Sequence, residues 1–85
     1  MSRRSKSVSM KTLAERKFPL HVDIEVPAGG LGRRLETMLE WCRRNCSDWD
    51  HHGHGERRDG QPPRYLARFY FMDEAQARQF RERFG

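Results

Sequence analysis

Between Leu20 and Val26 the chain alternates: Val22, Ile24 and Val26 take turns with His21, Asp23 and Glu25. A period of two puts each set on its own side of an extended backbone, so the segment predicts a strand with one apolar face. Pro27-Ala28-Gly29-Gly30 ends it, because proline cannot continue a ladder and glycine permits turn geometry. The stretch Ala28 to Gly32 lacks the Lys and Ser/Thr of a phosphate loop and the spacing of a dinucleotide fingerprint, and reads as a plain turn. From Leu31 to Cys46 the period changes. Leu31, Leu35, Met38, Leu39, Cys42 and Cys46 fall on one stripe at about 100° per residue, which predicts a helix. Its opposite face carries Arg33, Glu36, Glu40, Arg43 and Arg44, with Glu40 at helical spacing from both of the last two.

A second strand is expected from Asp48, with Trp49 inward and Asp48 and Asp50 outward, running into His51-His52-Gly53-His54-Gly55. Glu56 to Pro63, with Asp59-Gly60 and a double proline, reads as a hairpin loop. Arg64 to Phe71 is the strongest strand of the chain. Tyr65, Ala67, Phe69 and Phe71 form one face and Arg64, Leu66, Arg68 and Tyr70 the other; apolar groups on both faces suit a central position. Asp73 is a fitting N-cap and Gln76, three residues on, completes a capping-box pattern for a last helix, Glu74 to Phe84, with Ala77, Phe80 and Phe84 inward.

The order strand, helix, strand, strand, helix predicts an α+β sandwich with sheet order 1-3-2. The aromatic strand is central, both helices lie on one face, and the third strand is expected parallel to the first, making a mixed sheet. From Leu20 to Gly85 this order of elements resembles a ferredoxin-like fold without its fourth strand. A fold of that kind serves many activities and so does not select one.

Charge divides the chain differently. All of the formal +5 lies in residues 1–17, where Arg3, Arg4, Lys6, Lys11, Arg16 and Lys17 face only Glu15; from Phe18 onward eleven Arg balance eleven Asp and Glu. Residues 1–17 therefore read as a flexible basic arm, within which Lys11 to Lys17 could form a short helical turn, and 18–85 as one small α+β domain. A core that small is marginal alone and often recruits a second subunit or a metal, so a homodimer is expected. No apolar run is long enough to span a bilayer, and no secretory signal is present, which places the chain as soluble and cytoplasmic.

Three groups carry candidate chemistry. The arm cations Arg3, Arg4, Lys6, Lys11, Arg16 and Lys17 suit phosphate or carboxylate partners. On the outward sheet face, Arg64 and Arg68 are expected to pair with Asp23 and Glu25. Tyr70 is the one outward aromatic there, too few for an RNA-stacking platform, so Leu66, Arg68 and Tyr70 are read as an interface for self-association. Asp50, His52 and His54 alternate onto one side of a strand, close enough for two imidazoles to bind a divalent ion such as zinc, nickel or copper. Cys42 and Cys46 imitate zinc spacing but sit mid-stripe, where a free thiol behaves as a small hydrophobe.

No nucleophile stands at a recognisable spacing from a base, so no catalytic residues are expected. The expected function is a small non-enzymatic interaction or regulatory module, homodimeric, whose arm adds affinity for nucleic acid or an acidic protein. Two other readings stay open: a metal-binding protein using Asp50, His52 and His54, with that ion as cofactor, and a small enzyme whose site forms at a dimer interface.

Overall fold

A computed structural model describes residues 9–85. The elements are α1 (Met10–Lys17), β1 (Leu20–Glu25), α2 (Arg33–Asn45), β2 (Trp49–Arg58), β3 (Gln61–Phe71) and α3 (Glu74–Phe84). One three-stranded sheet has the order β1-β3-β2, as the apolar periods predict.

The sheet is antiparallel throughout, not mixed. The crossover through α2 joins β1 to β2, which therefore run the same way at the two edges. The hairpin then reverses the chain, and β3 is antiparallel to both. Registers such as Val22 opposite Phe69 and Asp23 opposite Arg68 keep apolar with apolar and charge with charge. On one face α2 and α3 cover the main core: Val22 and Ile24 of β1, Phe69 and Phe71 of β3, Met38, Cys42 and Cys46 from the α2 stripe, and Ala77 and Phe80 of α3. Asp73 caps α3 as expected, accepting from the Ala75 and Gln76 amides at 2.7 and 3.3 Å. Gln76 does not close the capping box. Its Nε2 donates to the Asn45 carbonyl at 3.1 Å and ties α3 to the end of α2.

The hairpin is longer than expected. Its turn is the two residues Asp59-Gly60, with Gly60 at φ +71°, and both strands run up to it. Glu56 pairs with Arg64 while Arg58 pairs with Gln61, so two steps along β2 answer to three along β3. The extra residue falls at Pro62-Pro63, and a bulge is one of the few places in a ladder that accepts proline.

Residues 10–17 are not a flexible arm. The Ser9 hydroxyl caps α1 by accepting from the Thr12 amide at 3.1 Å. Pro19 fixes the other end, because the residue before proline is pushed out of helical geometry, and Phe18 is extended at φ −96°, ψ 128°. Ala14 and Phe18 pack with Tyr70 into a second small cluster on the sheet face away from α2 and α3. The folded body thus has three layers, and a boundary drawn at Lys17 cuts through one of them.

Candidate functional site

The outward sheet face, open in the sequence reading, is roofed by α1, and the roof is polar on its inner side. From β3, Arg68 grips Asp23 of β1 with two parallel bonds, Nε to Oδ1 at 2.8 Å and Nη2 to Oδ2 at 3.0 Å. Its Nη1 reaches up to Glu15 Oε2 at 3.2 Å, and the Tyr70 hydroxyl donates to that same oxygen at 3.1 Å. Lys11 lies 3.8 Å from Glu15 and 2.6 Å from Nδ1 of His54, while Lys17 pairs with Asp48 at 3.2 Å. Such a bidentate guanidinium–carboxylate pair is both strong and directional.

The electrostatics follow from these bonds. The Tyr70 hydroxyl, with Lys11 and Arg68 nearby, holds the Glu15 carboxyl below its ordinary value. Arg68 does the same for Asp23 by hydrogen bonding. Burial, followed by the bond to Glu15, pushes the Tyr70 phenol up to about 12.

These contacts revise the interface expected of Leu66, Arg68 and Tyr70. Leu66 and Tyr70 are buried, at 4% and 1% exposure, and the Arg68 side chain is committed to Asp23 and Glu15. The chain covers this face with its own helix. The expected cross-strand pairing does form, with Arg64 lying 3.7 Å from Glu25 as a looser counterpart of Arg68 and Asp23.

Asp50, His52 and His54 share that face, as their spacing predicts, but they do not converge on a common point. His52 Nε2 bonds Asp50 Oδ2 at 2.9 Å; His54 turns Nδ1 to the Lys11 ammonium and has Nε2 3.6 Å from Glu56. An ammonium on the imidazole lone pair takes the place a cation would need. Among the described residues no group of three or more His, Cys, Asp or Glu side chains is placed to hold a metal ion. Cys42 and Cys46 are buried in the main core; burial pushes the Cys42 thiol up to about 12 and raises Cys46 as well, the opposite of a thiolate ligand.

Of the arm cations, Lys11 and Lys17 are spent on internal contacts and Arg16 is exposed on α1. Arg3, Arg4 and Lys6 lie outside the described residues.

The sequence reading passed over His51. Its place in β2, odd-numbered like Trp49, turns the ring inward, edge-on to Phe69 at 5.5 Å and to Trp49 at 6.1 Å. Its Nε2 is buried without a partner among the described residues, and burial lowers its pKa. The folded state thus disfavours the imidazolium, whereas an unfolded imidazole titrates near ~6.5. The sign follows: stability is full above about 6.5 and falls as the pH drops through that value. We expect His51→Leu to flatten the melting-temperature slope between pH about 7 and 5, measured by circular dichroism. Parallel slopes for variant and wild type would remove this role.

Next to His51, β2 carries Gly53 and Gly55 on the inward face, where a strand would normally supply core side chains. The result is an apolar groove of about 410 Å³ between the start of α2 and the sheet, lined by Val26, Leu31, Leu35, His51, Gly53 and Ala67 among others. Beyond it stands Tyr65, 59% exposed.

Comparison with protein-family models, with curated proteins and with solved structures returns no match. Among the described residues no helix is long and apolar enough to cross a membrane.

Proposed function

We propose that this chain acts by binding rather than catalysis, as a small interaction or regulatory module in the cytoplasm. Its N-terminal cations add affinity for nucleic acid or an acidic protein, and its β1-to-α3 body is related to the ferredoxin-like arrangement. The observation that carries the reading is the division of labour among the basic residues. Lys11 and Arg68 are paired beneath α1 and Lys17 is paired with Asp48 at the surface, while Arg3, Arg4 and Lys6 supply three of the five net positive charges from a stretch that holds no acid. Charge in that form gives sequence-independent, salt-sensitive affinity for a polyanion.

The test must spare α1, since deleting residues 1–17 would also remove Glu15 from Arg68 and Tyr70. Arg3, Arg4 and Lys6 are therefore changed together to Ala, and binding to a short duplex DNA and to poly-glutamate is measured across salt concentrations. Each phosphate contact contributes about −0.9 to the slope of log K against log salt, so the triple variant should lose a slope of roughly 3 on DNA. Equal affinity and equal slope for variant and wild type would overturn the proposal.

A further inference from the structure

The sheet has an edge, that of β2, that the described residues leave without a neighbouring strand, and the pattern on that edge matches itself. The Val26 amide donates to the Tyr65 carbonyl at 2.9 Å, so Tyr65 aims its backbone groups at β1. Its neighbours in β3, Arg64 and Leu66, aim theirs at β2, where they meet Glu56 and His54. The even-numbered residues of β2 are thus used by β3, and the odd-numbered ones, Trp49, His51, Gly53, Gly55 and Arg57, turn their backbone groups outward; of these the His51 N–H is already held, donating to Asp50 Oδ1 at 2.8 Å, an intrachain bond that a partner strand would have to replace. β2 contains neither proline nor lysine, the usual devices that blunt an edge strand.

A second copy can join this edge antiparallel only in registers that bring odd residues opposite odd ones. One such register places His54 on a two-fold axis opposite its own counterpart. Asp50 then faces Arg58 of the second copy, His52 faces Glu56, and Gly53 faces Gly55, each pair made twice. Shifting the pairing two residues toward the start of the strand sets Asp50 against Glu56. Shifting it two residues the other way sets His52 against Arg58. Opposite charges directly across a ladder favour the first register over both.

The inward face agrees with it. The Tyr65 ring lies across Gly55, where a Cβ would sit 3.7 Å from its Cδ1 and Cε1. Gly55 of one copy is next to Gly53 of the other, so the exposed Tyr65 ring stands at the Gly53 side of the other copy's groove, the side nearest the shared edge. The groove and the ring that borders it belong to the same chain but meet only between copies, as an isologous contact requires.

We infer that the chain forms a two-fold dimer through the β2 edge, building a continuous six-stranded sheet with Tyr65 of each copy bordering the groove of the other. This deepens the reading of the body as an interaction module and leaves the sheet face under α1 intact.

The full chain is examined by sedimentation equilibrium over a range of concentrations, with circular dichroism to confirm folding of each variant. Wild type should be a dimer. Tyr65→Ala removes an exposed side chain and should raise the dissociation constant about tenfold, as truncation of an aromatic anchor does. Arg58→Glu alone should weaken the dimer, and Asp50→Lys combined with Arg58→Glu should restore it, because the exchange recreates the pair across the axis. A wild type that stays monomeric overturns the inference, and so does a dimer indifferent to both Tyr65→Ala and Arg58→Glu. Either result leaves the salt-dependence test of Arg3, Arg4 and Lys6 standing on its own.

Discussion

Phe80→Ala should cost about 3–5 kcal/mol, the range for deleting a fully buried aromatic ring from a core. Phe80 has no exposed surface and stands where both layers of the main core meet. Its ring centroid lies 4.7 Å from Phe69, 5.2 Å from Phe71, 4.9 Å from Phe84 and 5.8 Å from Trp41, linking β3, α2 and the rest of α3. A domain of this size has a total stability of only roughly 4–11 kcal/mol, so the loss removes much of it. Urea unfolding at fixed protein concentration measures the effect, with Phe80→Leu as the near-isosteric control at less than about 1.5 kcal/mol. A cost for Phe80→Ala below that of the control would mean that Phe80 is not the keystone its contacts indicate.

That core was legible because each of its elements carries its own period. Val22 and Ile24 alternate, Met38, Cys42 and Cys46 follow a helical stripe, and Asp73 announces the helix that holds Phe80. Burial of one face leaves such a record in the local sequence. The direction of β3 relative to β1 was fixed by the same elements, since a crossover followed by a hairpin must place an antiparallel strand between two parallel ones. The parallel expectation misjudged that step. The long hairpin was also within reach: Asp59-Gly60 is a strong two-residue turn signal, but Pro62-Pro63 beside it reads as loop until the bulge gives them a place.

α1 was hidden for a different reason. Met10, Leu13, Ala14 and Phe18 stand at helical spacing, but the stripe is short and half of it stays exposed, while Lys11 and Glu15 supply the other contacts to the sheet, so the apolar signal is weak. Their partners, Arg68 and His54, lie more than forty residues away, and a local reading sees only a solvated basic segment. The same interaction bears on the metal candidates. Period two does bring Asp50, His52 and His54 onto one face, yet the cation beside His54 is Lys11, delivered by an element forty-three residues away along the chain. His51 did leave a trace that went unused, as a polar residue whose parity places it among Trp49 and Phe69.

The sheet's second face supplies the other large effect. Arg68→Met should destabilise the chain by ~1–3 kcal/mol at neutral pH, less than the ~3–5 kcal/mol for breaking a fully buried pair, because Asp23 and Glu15 keep part of their contact with water. Methionine preserves most of the stem's packing, so what is lost is the fork that joins Asp23 on β1 to Glu15 on α1. pH separates this loss from simple packing. Both carboxyls are held below their ordinary values in the folded chain, so the stability they contribute is fully present above the unfolded values, about 4.5 and 3.8. It drains away as the pH falls through the lower folded values, where the folded carboxylates take up their protons. Tyr70 still holds Glu15 down in the variant, so the difference rests chiefly on Asp23: the wild type should lose more stability than Arg68→Met between pH about 4 and 2, and the two curves should converge toward acid. A packing defect would keep them a constant distance apart, and that outcome would refute the view of Arg68 as the electrostatic pin holding α1 to the sheet.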